Sequence, residues 1–261
     1  MIYGHRGARG LFPENTLEGI KAILKLPIDG IEIDVVVNGD SELIVSHNPF
    51  AHNHFSLDEK KHEVDTASNH NFFKMNSSKV KSYDVGTKRH PFFLKQEKFP
   101  AKIPFLSEVF EFLNRSVAVN FVLFLEIKSD QKTVGEYYPE AGEYALIVSK
   151  FLAKNRFKGQ LIVKSFDPFF LNEFYRLTRD KYRLGYLVDN AYSLSVNLSK
   201  LDFVPSYYNP EFSLISENLV LEAHQHNIQI VGWTVNELSD YKRLMKMKID
   251  GIITDYPNRF I

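Results

Sequence analysis

Hydrophobic and polar positions follow two alternating patterns along this chain. Short apolar runs, typical of buried β-strands, alternate with segments whose apolar residues recur every three or four positions, typical of amphipathic helices. Eight strand segments can be recognised, near residues 2–5, 30–36, 121–127, 160–165, 183–188, 202–207, 228–233 and 250–254. Because most of them are separated by a helix, the pattern predicts an α/β fold of eight strand–helix units. The first of these helices opens at Pro13-Glu14-Asn15-Thr16, where we expect Asn15 to be the N-cap.

Polar residues stand at the carboxyl end of nearly every predicted strand. They are His5, Glu32, Asp34, Glu126, Lys128, Lys164, Ser165, Trp233 and Asp255. In a (β/α)8 barrel these ends converge on one mouth, where active sites are built. The sequence therefore favours a (β/α)8 TIM barrel, and a doubly wound open sheet is the alternative.

The strand at residues 30–36 carries the most unusual pattern, Gly-Ile-Glu-Ile-Asp-Val-Val. Side chains alternate along a strand, so Glu32 and Asp34 share one face. Neighbouring carboxylates repel each other and resist burial, and a divalent cation compensates for both effects. Carboxylate oxygens suit Mg²⁺ or Ca²⁺. Taken alone, the pattern equally fits a strand with one face in water.

Residues 49–102 differ from the rest of the chain. Asn, Ser, Lys, His and Phe dominate there, and apolar periodicity is poor. We predict one catalytic domain over residues 1–261, in which residues 49–102 form a lid or small subdomain inserted after the second strand. The pair His52-x-His54 lacks a matched second pair of metal ligands, so we interpret these side chains as solvated loop histidines.

The bulk composition excludes several classes of protein. Lys+Arg and Asp+Glu both number 32 and the pI is near 7.1, which does not favour a nucleic-acid-binding surface. With no cysteine, disulfides and thiolate metal sites are excluded. The first residues lack the apolar core of a signal peptide, and no apolar run is long enough to span a bilayer, so we expect a soluble, cytoplasmic protein. No interface pattern predicts an oligomeric state.

The predicted strand ends combine the groups that phosphate chemistry needs. Three carboxylates can hold one divalent cation, two histidines can act as general acid and base, and cationic side chains can bind phosphate oxygens. Neither a P-loop nor a Gly-x-Ser-x-Gly motif occurs. The groups concerned are Glu32, Asp34, Glu126, His5, His47, Arg6 and Lys128.

An ordered set of short motifs covers nearly the whole chain. They are His5-Arg6-Gly7, Pro13-Glu14-Asn15-Thr16, Glu32-Ile33-Asp34, His47, Ile103-Pro104-x-Leu106, Glu126-Ile127-Lys128, Ser165-Phe166, Trp233-Thr234-Val235-Asn236 and Gly251 to Pro257. By these motifs the chain resembles the glycerophosphodiester phosphodiesterase family. The resemblance implies a barrel, a Mg²⁺ or Ca²⁺ ion on Glu32, Asp34 and Glu126, and acid–base roles for His5 and His47. The implied products are sn-glycerol 3-phosphate and an alcohol.

The chain departs from the family pattern after its second histidine. Asn48 stands where the family usually has Asp, and the usual Leu-x-Arg-Thr-Thr run is replaced by residues 49–54. If Asn48 orients His47, the lost charge lowers the pKa of His47. The replaced run would border the leaving group, so substrate choice can differ from that of ordinary family members.

Three functions follow from these observations. The first is metal-dependent hydrolysis of a small-molecule glycerophosphodiester, with Arg6, Lys128 and Trp233 in contact with the substrate. The second is cleavage of a lysophospholipid, or a reaction that stops at a cyclic phosphate. The third is a non-catalytic binding protein that has kept the barrel. From the sequence alone, Trp233 can be either an apolar wall of the site or an aromatic residue of the core.

Overall fold

The computed structural model describes residues 1–65 and 67–261, with the side chains of residues 67 and 68 left aside. The strands are β1 (Ile2–Gly4), β2 (Gly30–Val37), β3 (Leu43–Val45), β4 (Val122–Ile127), β5 (Gln160–Ser165), β6 (Arg183–Val188), β7 (Tyr207–Pro210), β8 (Gln229–Gly232) and β9 (Gly251–Thr254). The helices are α1 (Leu17–Ile23), α2 (Ser77–Ser82), α3 (Leu106–Ser116), α4 (Ala141–Lys154), α5 (Pro168–Thr178), α6 (Leu194–Leu198), α7 (Glu217–Gln225) and α8 (Leu238–Lys246).

Eight of these strands close into a parallel barrel. β1 pairs with β9 on one side and with β2 on the other, and the remaining neighbours pair in chain order from β4 to β9. β1 is only three residues long and reaches no further along β2 than Ile31. Beyond that point β3 returns antiparallel, with Val35 opposite Val45, and satisfies the edge of β2 that β1 leaves open. The predicted (β/α)8 barrel is confirmed, and the open sheet is excluded.

Two apolar layers hold the barrel together. Tyr3, Phe124, Ile162, Tyr207 and Ile253 belong to a cluster that fills its interior, and Trp233 packs against that cluster. A larger cluster lies between the strands and the surrounding helices, and it includes Ile31 and Ile33. The outward side chains of β2 are apolar and pack against the helices. Its inward side chains, at positions 32 and 34, can therefore be carboxylates that face the barrel interior.

Two local predictions from the sequence are wrong. The sixth of the eight predicted strands was expected at 202–207, but the corresponding strand, β7, begins at Tyr207 and runs through Asn209 and Pro210, residues that strand propensity disfavours. Asn15 was expected to cap α1, but Thr16 does so by accepting a hydrogen bond from Gly19 N. Asn15 instead faces the barrel mouth.

The described part of residues 49–102 contains only short elements. It holds two single-turn 3₁₀ segments and α2, joined by isolated bridges such as the one between Leu57 and Asp84. Gln96 Nε2 donates to the carbonyl oxygens of Arg9 and Phe12, which ties the end of this segment to the loop after β1. In the described residues no helix is both long and apolar enough to cross a membrane.

Candidate active site

The carboxylates at the barrel mouth lie in one layer of the strand register. Asp34 of β2 is the neighbour of Glu126 on β4, and Glu126 is the neighbour of Lys164 on β5. Glu32 sits one inward position below Asp34 on the same strand. Oxygen atoms of Glu32, Asp34 and Glu126 all lie within 4.8 Å of one another, and all three residues are buried. The shared face predicted for Glu32 and Asp34 is therefore present.

Three cations surround this carboxylate cluster. Lys128 Nζ donates to Glu126 Oε1 at 2.5 Å and lies 3.7 Å from Asp34 Oδ1. Lys164 Nζ is 3.6 Å from Glu32 Oε1 and 3.7 Å from Glu126 Oε2. The third cation is Arg6. Three positive groups beside three carboxylates reduce the repulsion that burial would otherwise make prohibitive.

The cluster has the donor set of a divalent-cation site. Oxygen-only ligands are those that Mg²⁺ and Ca²⁺ prefer. Glu32 is fully buried, yet its Oε1 atom has no hydrogen-bond donor among the described residues. Burial, followed by the nearby Asp34 carboxylate, raises the pKa of Glu32 to about 8. A bound cation would give that oxygen a partner and hold Glu32 ionised, so the residues present fit the ion that the family resemblance implies.

The loop after β1 places His5 and Arg6 over the cluster. A Cβ atom on Gly4 would come within 1.9 Å of Gly7 O, and Gly7 itself has φ +89°, so both positions need glycine. The turn aims Arg6 N at Glu32 Oε2 (3.0 Å), while Arg6 Nη1 donates to Glu14 Oε1 at 2.8 Å.

His5 is fixed by a carboxylate from the last strand of the barrel. Its Nδ1 lies 2.7 Å from Asp255 Oδ1, and its Nε2 lies 3.9 Å from Glu32 Oε2. Arg9 and Asn236 also donate to Asp255, which fixes the orientation of that carboxylate. Burial lowers the pKa of His5 to about 4, although Asp255 opposes the effect. His5 is therefore neutral at pH 7, with Nε2 turned towards the cluster.

His47 has a neutral partner where His5 has a charged one. Its Nδ1 lies 3.0 Å from Asn48 Oδ1, so the side chain of Asn48 orients the ring as the sequence suggested. Burial lowers the pKa of His47, and the Asp34 carboxylate opposes this shift.

These groups line one small inner cavity of about 120 Å³. Trp233 forms part of its wall, with Nε1 donating to Asn209 O and the ring packed edge-on against Phe166 at 5.4 Å. Of the predicted site residues, Glu32 lies in the carboxylate cluster, and the others all line the cavity: His5, Arg6, Asp34, His47, Glu126, Lys128 and Trp233.

Three further residues serve this site, and none of them is among the predicted catalytic, metal-binding or substrate-binding residues. From the sequence, Lys164 is a strand-end residue that could be a third cation of the site, Asp255 is a strand-end residue with no link to His5, and Asn15 is a helix cap. Asn15 Nδ2 in fact donates to Asp34 Oδ2 at 2.8 Å. Two of the three could have been found from their positions, because Lys164 and Asp255 both stand at the carboxyl end of a predicted strand, as the other site residues do.

The barrel and its polar mouth define a TIM-barrel protein with a candidate active site at the carboxyl ends of its strands, and comparison with known proteins specifies it further. The sequence model of the glycerophosphoryl diester phosphodiesterase family matches residues 5–259, and the chain belongs to this family. It is therefore a phosphoric diester hydrolase.

Individual relatives are similar over nearly their whole length. A glycerophosphodiester phosphodiesterase of Caldanaerobacter subterraneus subsp. tengcongensis is 27% identical over 268 residues, covering 100% of this chain and 96% of the relative. A Silicibacter pomeroyi crystal structure that carries the provisional name of glycerophosphoryl diester phosphodiesterase superposes with TM-score 0.88 and 29% identity, covering 99% of this chain and 90% of that one. An Oleispira antarctica phosphodiesterase, solved with its product sn-glycerol-3-phosphate, has the same fold (TM-score 0.78, 21% identity, 99% and 94% coverage).

Proposed function

We propose that the enzyme hydrolyses glycerophosphodiesters to sn-glycerol 3-phosphate and an alcohol, using His5 and His47 as base and acid beside a divalent cation on Glu32, Asp34 and Glu126. The observation that carries this proposal is the inner cavity, because it brings both imidazoles, two phosphate-binding cations and the carboxylate cluster to one place. The product bound to the Oleispira relative fits the same reaction.

The cation has one chemical task in this proposal. Bound by the three carboxylates, Mg²⁺ or Ca²⁺ would neutralise charge on a phosphate oxygen. Arg6 and Lys128 add fixed positive charge around the same oxygens. Trp233 lines the same cavity and would provide an apolar wall for the glycerol carbons.

Their partners suggest which histidine acts as base and which as acid. The base must gain a proton, and Asp255 stabilises the imidazolium that would form on His5. The acid must give up a proton, and His47 Nδ1 is hydrogen-bonded to the neutral Asn48 rather than to a carboxylate. A bound phosphodiester anion favours the protonated form of His47 before the reaction.

The bond changes balance between these two groups. His5 Nε2 takes the proton of the attacking hydroxyl as its oxygen bonds to phosphorus. The bond from phosphorus to the leaving oxygen breaks, and that oxygen keeps the electron pair and takes the proton from His47. Water and the substrate's own 2-hydroxyl are both chemically suitable attackers, and the second route passes through a cyclic phosphate.

A lysophospholipid substrate is the second candidate, and one observation favours it. On residues 49–102, Phe92 is 72% exposed and Leu94 is 65% exposed, and an acyl chain would cover such side chains.

We also propose that residues 1–261 act as one catalytic domain with residues 49–102 as its lid. A cytoplasmic location stays a prediction.

The test measures release of sn-glycerol 3-phosphate from glycerophosphocholine, and release of choline and lysophosphatidic acid from lysophosphatidylcholine, by the purified protein. We expect release from the first substrate that EDTA abolishes and that Mg²⁺ or Ca²⁺ restores. His47→Ala should lose at least 10²-fold in kcat, whereas the exposed His62→Ala should not change it. Metal-independent release, or an active His47→Ala variant, would contradict the proposal.

A further inference from the structure

A second pocket opens beside the inner cavity, on the side of His47. This outer pocket has a volume of about 430 Å³ and is lined on its far side by His52, His54, Phe55, His90, Phe92 and Phe93. It shares Arg6, Arg9 and His47 with the inner cavity. Ligand pockets usually span about 300–1,000 Å³, so the inner cavity alone is too small for a whole diester and the outer pocket supplies the missing room.

The histidines of the outer pocket pack among aromatic rings, and His52 and His54, which the sequence analysis interprets as solvated, are half-buried. His90 is buried, and the Phe55 ring is stacked between His52 and His90, with centroid distances of 5.3 and 5.5 Å. Lys88 Nζ donates to Asn53 O at 2.6 Å and joins the two walls. The pocket is therefore formed before any ligand arrives.

Backbone contacts fix the chemical character of two of these rings. His52 Nδ1 accepts from His54 N at 3.1 Å, and His90 Nδ1 accepts from Phe92 N at 3.2 Å. An Nδ1 atom that accepts a hydrogen bond carries no proton, so each neutral ring carries its proton on Nε2. Both Nε2–H groups remain as donors for a ligand.

The charges on the pocket wall disfavour a cationic ligand. Among its described lining residues Glu14 is the one carboxylate, and Arg6 already binds it at 2.8 Å. The Phe93 ring, which could receive a cation, already faces the Arg9 guanidinium at 5.1 Å. An ammonium group would thus meet two arginines with no free carboxylate to balance it.

We infer that the outer pocket binds the leaving alcohol of the diester, and that it selects polyhydroxy or anionic alcohols over quaternary ammonium alcohols. The inference rests on the proposed function, because it assigns the second half of the same substrate. Its position beside His47 agrees with His47 protonating the leaving oxygen. Imidazole N–H donors and Arg9 match the oxygen atoms of a polyol, and the ring stack covers its carbon face.

The test compares two diesters that differ only in the leaving alcohol, glycerophosphoinositol and glycerophosphocholine. We expect kcat/KM to be at least tenfold higher for the inositol diester. His52→Phe and His90→Phe keep the stacked ring but remove the Nε2–H donor. Each should lower kcat/KM roughly five-fold for the inositol diester and leave it within twofold for the choline diester.

His62→Phe, on an exposed side chain of the same segment, is the matched control and should change neither value. Thermal unfolding of each variant shows whether it folds. If one of the two variants, His52→Phe or His90→Phe, does not fold, the other still tests the inference. Equal or better turnover of the choline diester, or equal losses on both diesters, would overturn the inference while leaving the proposed function in place. No turnover of either diester would overturn both.

Discussion

Replacing Asn48 with Asp gives His47 a charged partner in place of a neutral one. Asn48 Oδ1 already lies 3.0 Å from His47 Nδ1, and Asp has the same shape, so the hydrogen bond persists while a negative charge is added. Two unit charges about 4 Å apart interact by ~4 kcal/mol at an effective dielectric constant of about 20. At 1.36 kcal/mol per pKa unit, this sets an upper limit of about three units.

We expect a smaller rise in the pKa of His47, of about one to two units. His47 is half-buried and already has Asp34, Arg6 and Lys128 around it, so the new charge is partly compensated. If His47 is the general acid, its protonated form is active. The alkaline limb of the pH profile of kcat/KM should then move up by about one to two pH units, while the acid limb stays in place.

The assay is sn-glycerol 3-phosphate release across pH at saturating divalent cation. Asn120→Asp adds the same charge at an exposed position just before β4, at the opposite end of the barrel, and should leave both limbs in place. Movement of the acid limb in Asn48→Asp would make His47 the base and reverse the assigned roles. If neither limb moves, titration of His47 does not control the rate, and the reasoning fails.

Three further predictions concern the site and the fold. Asp255→Asn should lower kcat by at least 10²-fold through loss of the carboxylate that stabilises protonated His5, while metal-induced thermal stabilisation persists. Ca²⁺ or Mg²⁺ at about 100 times its Kd should stabilise the wild type by ~2.7 kcal/mol, seen as a higher Tm, and Glu126→Gln should lose that rise. Asp84→Asn should destabilise the protein by about 1–3 kcal/mol in urea unfolding at pH 7. The reason is that the buried Asp84 carboxylate accepts hydrogen bonds from Lys61 Nζ and from the backbone N–H groups of Gly86 and Thr87. Burial would raise the pKa of Asp84, but these contacts hold that pKa well below its usual range. The difference in the free energy of unfolding between wild type and variant should therefore persist above about pH 4 and shrink as the pH falls further.

The sequence was most informative where chemistry and strand periodicity coincide. Glu32 and Asp34 are two positions apart on an apolar strand, and the strand period of two is enough to put them on one face. Barrel geometry then gathers the strand-end residues without further information. For this reason the barrel and the set of residues at its mouth could be predicted together.

Features that depend on contacts between distant segments could not be read in the same way. Asn15 has the local signature of a helix cap, but its amide bonds Asp34 across the barrel mouth. β7 contains Asn209 and Pro210 and is held by its neighbours rather than by its own propensity. The stack of His52, Phe55 and His90 joins segments more than thirty residues apart in sequence. No local sequence pattern predicts such a contact.

The most direct test of the central claim is a phosphorus NMR time course of a glycerophosphodiester with the purified enzyme. The account predicts that the diester signal falls while the monoester signal of sn-glycerol 3-phosphate rises, with Mg²⁺ or Ca²⁺ present and not with EDTA. A cyclic phosphate that appears and then disappears would identify the substrate's own hydroxyl as the attacker. A diester signal that stays constant with both metals would contradict the account.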